Sequence, residues 1–173
     1  MSLCRLPIGG PDRYSVKLMS ETVLALNRNW VGALAVIGRC RIFVGPIEEA
    51  IPLLEQAIRL SPRDPGIVGW YFRIGQAHLL QSRIDEAILW FEKVRSATPG
   101  LWYVHAYLAS AYALKGETER AAAELAEARR LSGDIYLSIA RVKAGGRWGV
   151  PEIRALFEAT YFAGLRKAGM PEE

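Results

Sequence analysis

The chain has 173 residues, 51% of them hydrophobic and 23% charged, which is enough apolar mass to bury an ordinary core in one domain. Its formal charge is +4, but Lys and Arg interleave with Glu along the chain, so no block of one sign marks a nucleic-acid surface. Cys4 and Cys40 stand far apart with no CxxC pair and no His at ligand spacing, which argues against a zinc site and a disulfide framework and makes a reducing, cytoplasmic compartment the expectation.

Residues 1–13 read as an irregular segment without the apolar run of a secretory signal, and charges interrupt every longer apolar stretch, so no membrane partner is expected. Residues 14–29 carry an amphipathic helix over 14–26. Its Val23-Leu24-Ala25-Leu26-Asn27 aligns with Ala57-Ile58-Arg59-Leu60-Ser61 further on, as the second half of a truncated helix pair would. An array that opens on half a unit exposes an apolar end, and a homo-oligomer through that end is one expectation.

From residue 30 the chain repeats itself. Gly38, Gly75 and Ala109 are followed after twelve residues by Ala50, Ala87 and Ala121, and after twelve more by Pro62, Pro99 and Gly133. Columns between them agree: Leu34, Tyr71 and His105; Ile37, Ile74 and Leu108; Leu54, Phe91 and Leu125; Ala57, Val94 and Ala128. Small residues in paired columns let two helices cross closely. Gly45, Ser82 and Gly116 fall between the helices of each pair, and Pro62 and Pro99 follow the second helices, because proline disfavours helical geometry in the residue before it.

Caps and periodicity predict helices near 30–44, 47–60, 65–80, 84–97, 101–115 and 118–131, grouped as units 30–64, 65–100 and 101–133. Asp64 and Pro65 suit the N-cap and first position of the third helix, and Pro52 predicts a kink in the second. Residues 134–173 predict a short helix over 135–144, a Gly145-Gly146-Arg147-Trp148-Gly149 loop and a capping helix over 151–167 with Ile153, Leu156, Phe157, Tyr161 and Leu165 on one stripe.

Tyr71, Ile74, Gly75, His78, Ala87, Phe91 and Pro99 stand where the tetratricopeptide pattern places aromatic, aliphatic, small, bulky, small, aromatic and proline, and the chain resembles that family. The resemblance implies an all-α superhelix of three full helix-turn-helix repeats with flanking capping helices. The run Glu49-Ala50-Ile51-Pro52-Leu53-Leu54-Glu55-Gln56-Ala57-Ile58-Arg59-Leu60-Ser61-Pro62-Arg63-Asp64-Pro65 and the ending Gly164-Leu165-Arg166-Lys167-Ala168-Gly169-Met170-Pro171-Glu172 resemble, more narrowly, the C-terminal tetratricopeptide region of bacterial class III adenylate/guanylate cyclases. That implies a regulatory or assembly module, either a piece of such a cyclase or a stand-alone relative of its tail. No cyclase residue carries over.

No GxSxG, HExxH, P-loop or GxGxxG run is present, so no catalytic residue, metal or cofactor is expected and the chain reads as a non-enzyme. His78 and His105 fall in packing columns, and Cys40 reads as buried filler although Arg39 and Arg41 flank it. In a tetratricopeptide array the inner face comes from the first helix of each pair. The candidate groove residues are therefore Phe72, Leu79 and Tyr103 as anchors for a peptide or helix of a protein partner, with Arg39, Arg73, Gln76 and Ser110 beside them. The alternative is that the chain's own helix 151–167 fills this groove. Tetratricopeptide proteins that clamp a chaperone's C-terminal carboxylate use Lys and Asn there, and Ala35, Arg39, Gln76 and Ala106 do not match. A helical-repeat nucleic-acid binder is disfavoured because the arginines fall on different faces.

Overall fold

The computed structural model describes residues 29–133, 138–146 and 148–173, together with Thr22, Ala25 and Asn27. The segment 1–13 and most of the half-unit helix expected over 14–29 lie outside the described residues. Among the described residues the structure is helical, with no strand.

Six helices form three antiparallel pairs: α1 (Val31–Val44) with α2 (Ala50–Leu60), α3 (Ile67–Leu80) with α4 (Ile84–Ala97), and α5 (Trp102–Lys115) with α6 (Thr118–Ser132). Each second helix also packs on the first helix of the next pair, so the pairs stack into a continuous helical array. The small-residue columns explain the close crossings. A Cβ on Gly38 would sit 2.8 Å from Leu54 Cγ, and one on Gly75 would sit 2.7 Å from Phe91 Cε1. Ala50, Ala87, Ala121, Leu54, Phe91, Ala57, Val94 and Ala128 are buried as their columns require.

The turns follow from backbone geometry. Gly45, Ser82 and Gly116 all take positive φ (67°, 60° and 91°), the conformation that ends an α-helix and reverses the chain. Ser82 does so with a side chain and at the tip of an exposed turn.

Two expectations change in detail. Pro52, expected to kink the second helix, lies in the first turn of α2, which begins at Ala50 after a 3₁₀ turn over Ile47–Glu49. Its missing N–H has no intrahelical partner to lose there. Asp64 does not cap α3 directly: its Oδ1 accepts from the Gly66 N–H at 2.7 Å, closing a turn, and the helix begins at Ile67.

Beyond the repeats, α7 (Ile139–Gly145) is short, and its first N–H groups find acceptors outside the helix. Ile139 and Ala140 donate to the carbonyls of Pro171 and Glu172, each at 2.9 Å, and Ser138 Oγ accepts from the Arg141 N–H at 3.3 Å. Next come α8 (Pro151–Phe157), a π-helical turn (Glu158–Phe162) and α9 (Ala163–Lys167), which together run as one helix over 151–167. The extra residue of the π turn shifts the apolar stripe. Ile153, Phe157, Tyr161 and Leu165 are buried as expected, but Leu156 is exposed, and Thr160, Phe162 and Gly164 take buried places.

The glycines of α3 give opposite expectations in one helix. Gly75→Val forces a branched side chain into the buried Phe91 ring and is expected to cost about 2 kcal/mol or more. Gly69→Ala, where an added Cβ meets nothing within 4 Å, is expected to raise stability by about 0.5–1 kcal/mol. Thermal and urea unfolding of the two variants checks both signs.

Candidate functional site

The inner face is lined by α1, α3 and α5, and its aromatic side chains run from one helix to the next. Phe72 meets Tyr103 and Tyr107 edge-on at 4.8 and 5.0 Å between ring centroids. Tyr107 then stacks on Tyr161 of the C-terminal helix at 4.2 Å.

That C-terminal helix lies in the groove. Its α9 end packs on α5, the π turn contacts α5 and α3, and α8 reaches α1, where Phe157 stacks on Phe43 with centroids 6.3 Å apart. The Val150 N–H donates to the Phe43 carbonyl at 2.9 Å, fixing the helix start to the end of α1. At the other end Ser110 Oγ donates to the Tyr161 carbonyl at 2.9 Å, and a Cβ on Gly164 would overlap Ser110 at 2.2 Å from its Oγ and 2.4 Å from its carbonyl oxygen. Trp148 closes the side: its indole N–H donates to the Lys143 carbonyl at 2.9 Å, and its ring contacts Phe157 and Phe162 at 5.0 and 4.9 Å.

The groove residues named from the sequence therefore divide. Phe72, Gln76, Leu79 and Ser110 are buried at 6%, 2%, 0% and 0% exposure, and they serve the chain's own packing. Gln76 Nε2 donates to Tyr107 Oη at 2.7 Å, Ser110 holds the C-terminal helix, and Leu79 belongs to the core, the arrangement expected where helix 151–167 fills the groove. Tyr103 is half-buried against Phe72, Arg73 is half-buried, and Arg39 is exposed.

What stays open is the inner face along the N-terminal halves of α1 and α3. Ala35, Val36, Arg39, Gly66, Gly69, Trp70 and Arg73 line a recess of about 260 Å³ there. Arg73 lies over the Phe43 and Phe72 rings at 5.4 and 5.3 Å, and its Nη1 donates to Gln76 Oε1 at 2.7 Å. Burial holds its guanidinium below the usual range, and the charge of Arg39 pushes it the same way, partly opposed by Tyr107 and Tyr103.

The remaining titratable candidates are structural. Burial pushes the Cys40 thiol up, outweighing the pull of Arg39 and Arg41, so thiolate is disfavoured. Burial likewise lowers the His78 imidazole, which sits in the core. His105 faces Glu124 Oε2 from Nδ1 at 2.7 Å and the Pro99 carbonyl from Nε2 at 2.9 Å, and Arg95 bonds the other Glu124 oxygen, which ties α4, α5 and α6 together. Among the described residues, no group of three or more His, Cys, Asp or Glu could hold a metal, and no helix is long and apolar enough to cross a membrane.

A tetratricopeptide-repeat family model matches residues 44–101, from the end of α1 through α4. Two crystal structures of MamA are similar in fold. The first has a TM-score of 0.62 at 20% identity over 89% of this chain and 84% of that one, and the second 0.61 at 19% over 89% and 79%. No curated protein sequence matches the chain. The likenesses bear on the repeat fold, and neither touches the cyclase resemblance of residues 49–65 and 164–172.

The seat at Gly164 yields a direct expectation. Gly164→Val places side-chain atoms inside Ser110, whose backbone is fixed in the middle of α5, so the C-terminal helix should lift from the groove while the repeats persist. Amide hydrogen exchange is expected to speed up by roughly ten-fold or more across 153–165 with little change across 84–132. Unchanged protection at 153–165 would contradict this seating.

Proposed function

We propose that the chain is a protein-interaction scaffold that holds a segment of a partner protein against the N-terminal halves of its inner helices. Residues 30–64, 65–100 and 101–133 act as the three repeat units, and 134–173 acts as their cover. One observation carries the reading: the chain's own 151–167 helix is bound in the groove by ring stacking, backbone hydrogen bonds and a glycine contact, so this face has the shape and chemistry to take a helical segment. With that half of the groove occupied in cis, a partner meets Arg39, Arg73, Trp70 and Val36 first, with Tyr103 at the edge. The tetratricopeptide match over 44–101 supports the same reading, because such repeats stack into extended concave binding faces.

A regulatory place beside a class III cyclase domain is a narrower form of this role and rests on the sequence resemblance alone. Self-association through the half unit before residue 30 is a further form of it, and light scattering of concentrated protein separates a monomer from a dimer.

Photocrosslinking tests the face. A benzophenone amino acid in place of Val36, 47% exposed at the recess, is expected to capture a discrete partner in the source cell. The same group in place of Leu89, 68% exposed on α4, is expected to capture none. Equal capture at both positions, or capture at Leu89 alone, would move the interface to the outer surface.

A further inference from the structure

Five arginines among the described residues stand in ion pairs. Arg41 pairs with Glu49, Arg95 with Glu92 and Glu124, Arg120 with Glu117 and Glu92, Arg130 with Glu127, and Arg166 with Glu158 and Glu172. Arg39 and Arg73 are different. Both line the open recess, and among the described residues neither has a carboxylate partner. Arg73 spends one N–H on the neutral Gln76, and its cationic face lies on Phe43 and Phe72.

Two like charges that share one partly desolvated space repel each other, and the repulsion is relieved when an anion enters between them. The rest of the lining is apolar or lacks side chains. Trp70, Val36 and Ala35 form the walls, while Gly69, where an added Cβ would meet nothing within 4 Å, leaves backbone uncovered, so an extended chain can approach closely. Segment 1–21 carries Arg5, Arg13 and Lys17 against Asp12 and Glu21, the wrong balance of charge to fill the site in cis.

We propose that this recess binds an acidic segment of the partner protein, with side-chain carboxylates engaging Arg39 and Arg73 while an adjacent apolar side chain packs on Trp70 and Val36. The inference rests on the scaffold reading and adds the chemistry of the partner. Guanidinium groups favour the choice, since their planar forks match carboxylates in two-point contacts. A nucleic acid is disfavoured because the recess itself holds two arginines, and Arg95 and Arg120 further along the array are paired with glutamates.

Selection of random phage-displayed peptides on the intact chain tests it. Enriched peptides are expected to be rich in Asp and Glu next to an aromatic or aliphatic residue. Synthetic copies should weaken by roughly ten-fold or more in the R39Q/R73Q double variant, and weaken as salt rises from about 0.05 to about 0.3 M. Arg39→Lys should retain part of the binding. Arg39→Glu, at an exposed side chain, gives the same loss without disturbing the Arg73 stack, should the double variant lose its helical circular dichroism.

Selection of neutral or basic peptides, or acidic ones indifferent to both arginines, overturns the inference and leaves the scaffold reading standing. An oligouridylate that binds more tightly than every selected peptide and is lost in the double variant overturns it in favour of nucleic acid. Failure to select any peptide overturns the scaffold reading itself.

Discussion

The arrangement depends on one close contact: the backbone of the C-terminal helix passes Ser110 at Gly164, where there is no side chain to hold it off. Closeness there brings Tyr161 onto Tyr107, lets Ser110 bond the Tyr161 carbonyl, and directs the remaining turns toward Phe43 at the far side of the groove. Stacked helix pairs bury their shared faces through their neighbours, but the inner face of the stack has no such neighbour. This chain supplies one from its own end, and the aromatic half of the groove becomes core.

The consequence is a divided inner face. Along α5 and at the C-terminal end of α1, where Tyr107 and Phe43 stack on the C-terminal helix, it is aromatic and closed. Over the N-terminal halves of α1 and α3 it is open, small-walled and cationic. Arg73 joins the two parts, because its guanidinium lies over the Phe43 and Phe72 rings while it lines the open recess. The third pair is the firm base of this arrangement: His105, Glu124 and Arg95 bind α5 to its neighbours, and α5 carries both Tyr107 and Ser110.

The repeat was legible in the sequence because its causes are local. Gly38 and Gly75 had to be small where Leu54 and Phe91 press on them, and Gly45, Ser82 and Gly116 had to tolerate positive φ where each pair turns. Even a serine in that place was found by its column alone. The groove was less legible, because an apolar stripe says that a face is buried and not what buries it. Phe72, Leu79, Gln76 and Ser110 satisfy the pattern of ligand contacts and of core equally well, and only the position of 151–167 separates the two. The π turn hid a further part: it brought Phe162 and Gly164 inward, which a helical period of 3.6 does not anticipate. Trp148 had a signal in the Gly-rich loop around it, but its seat against Phe157 and Phe162 is a tertiary fact. That Arg39 and Arg73 have no carboxylate partner among the described residues is of the same kind, since it depends on where the glutamates of the fold end up.

The central claim is that the C-terminal helix occupies the aromatic half of the groove in solution, and the Tyr107–Tyr161 stack is its most direct marker. With ring centroids 4.2 Å apart, the aromatic protons of these two residues should give strong nuclear Overhauser cross-peaks in a spectrum with selectively labelled tyrosine, assigned by Tyr161→Phe. Absence of those cross-peaks, with the Tyr107 ring otherwise well ordered, would contradict the account and return the whole inner face to an open groove.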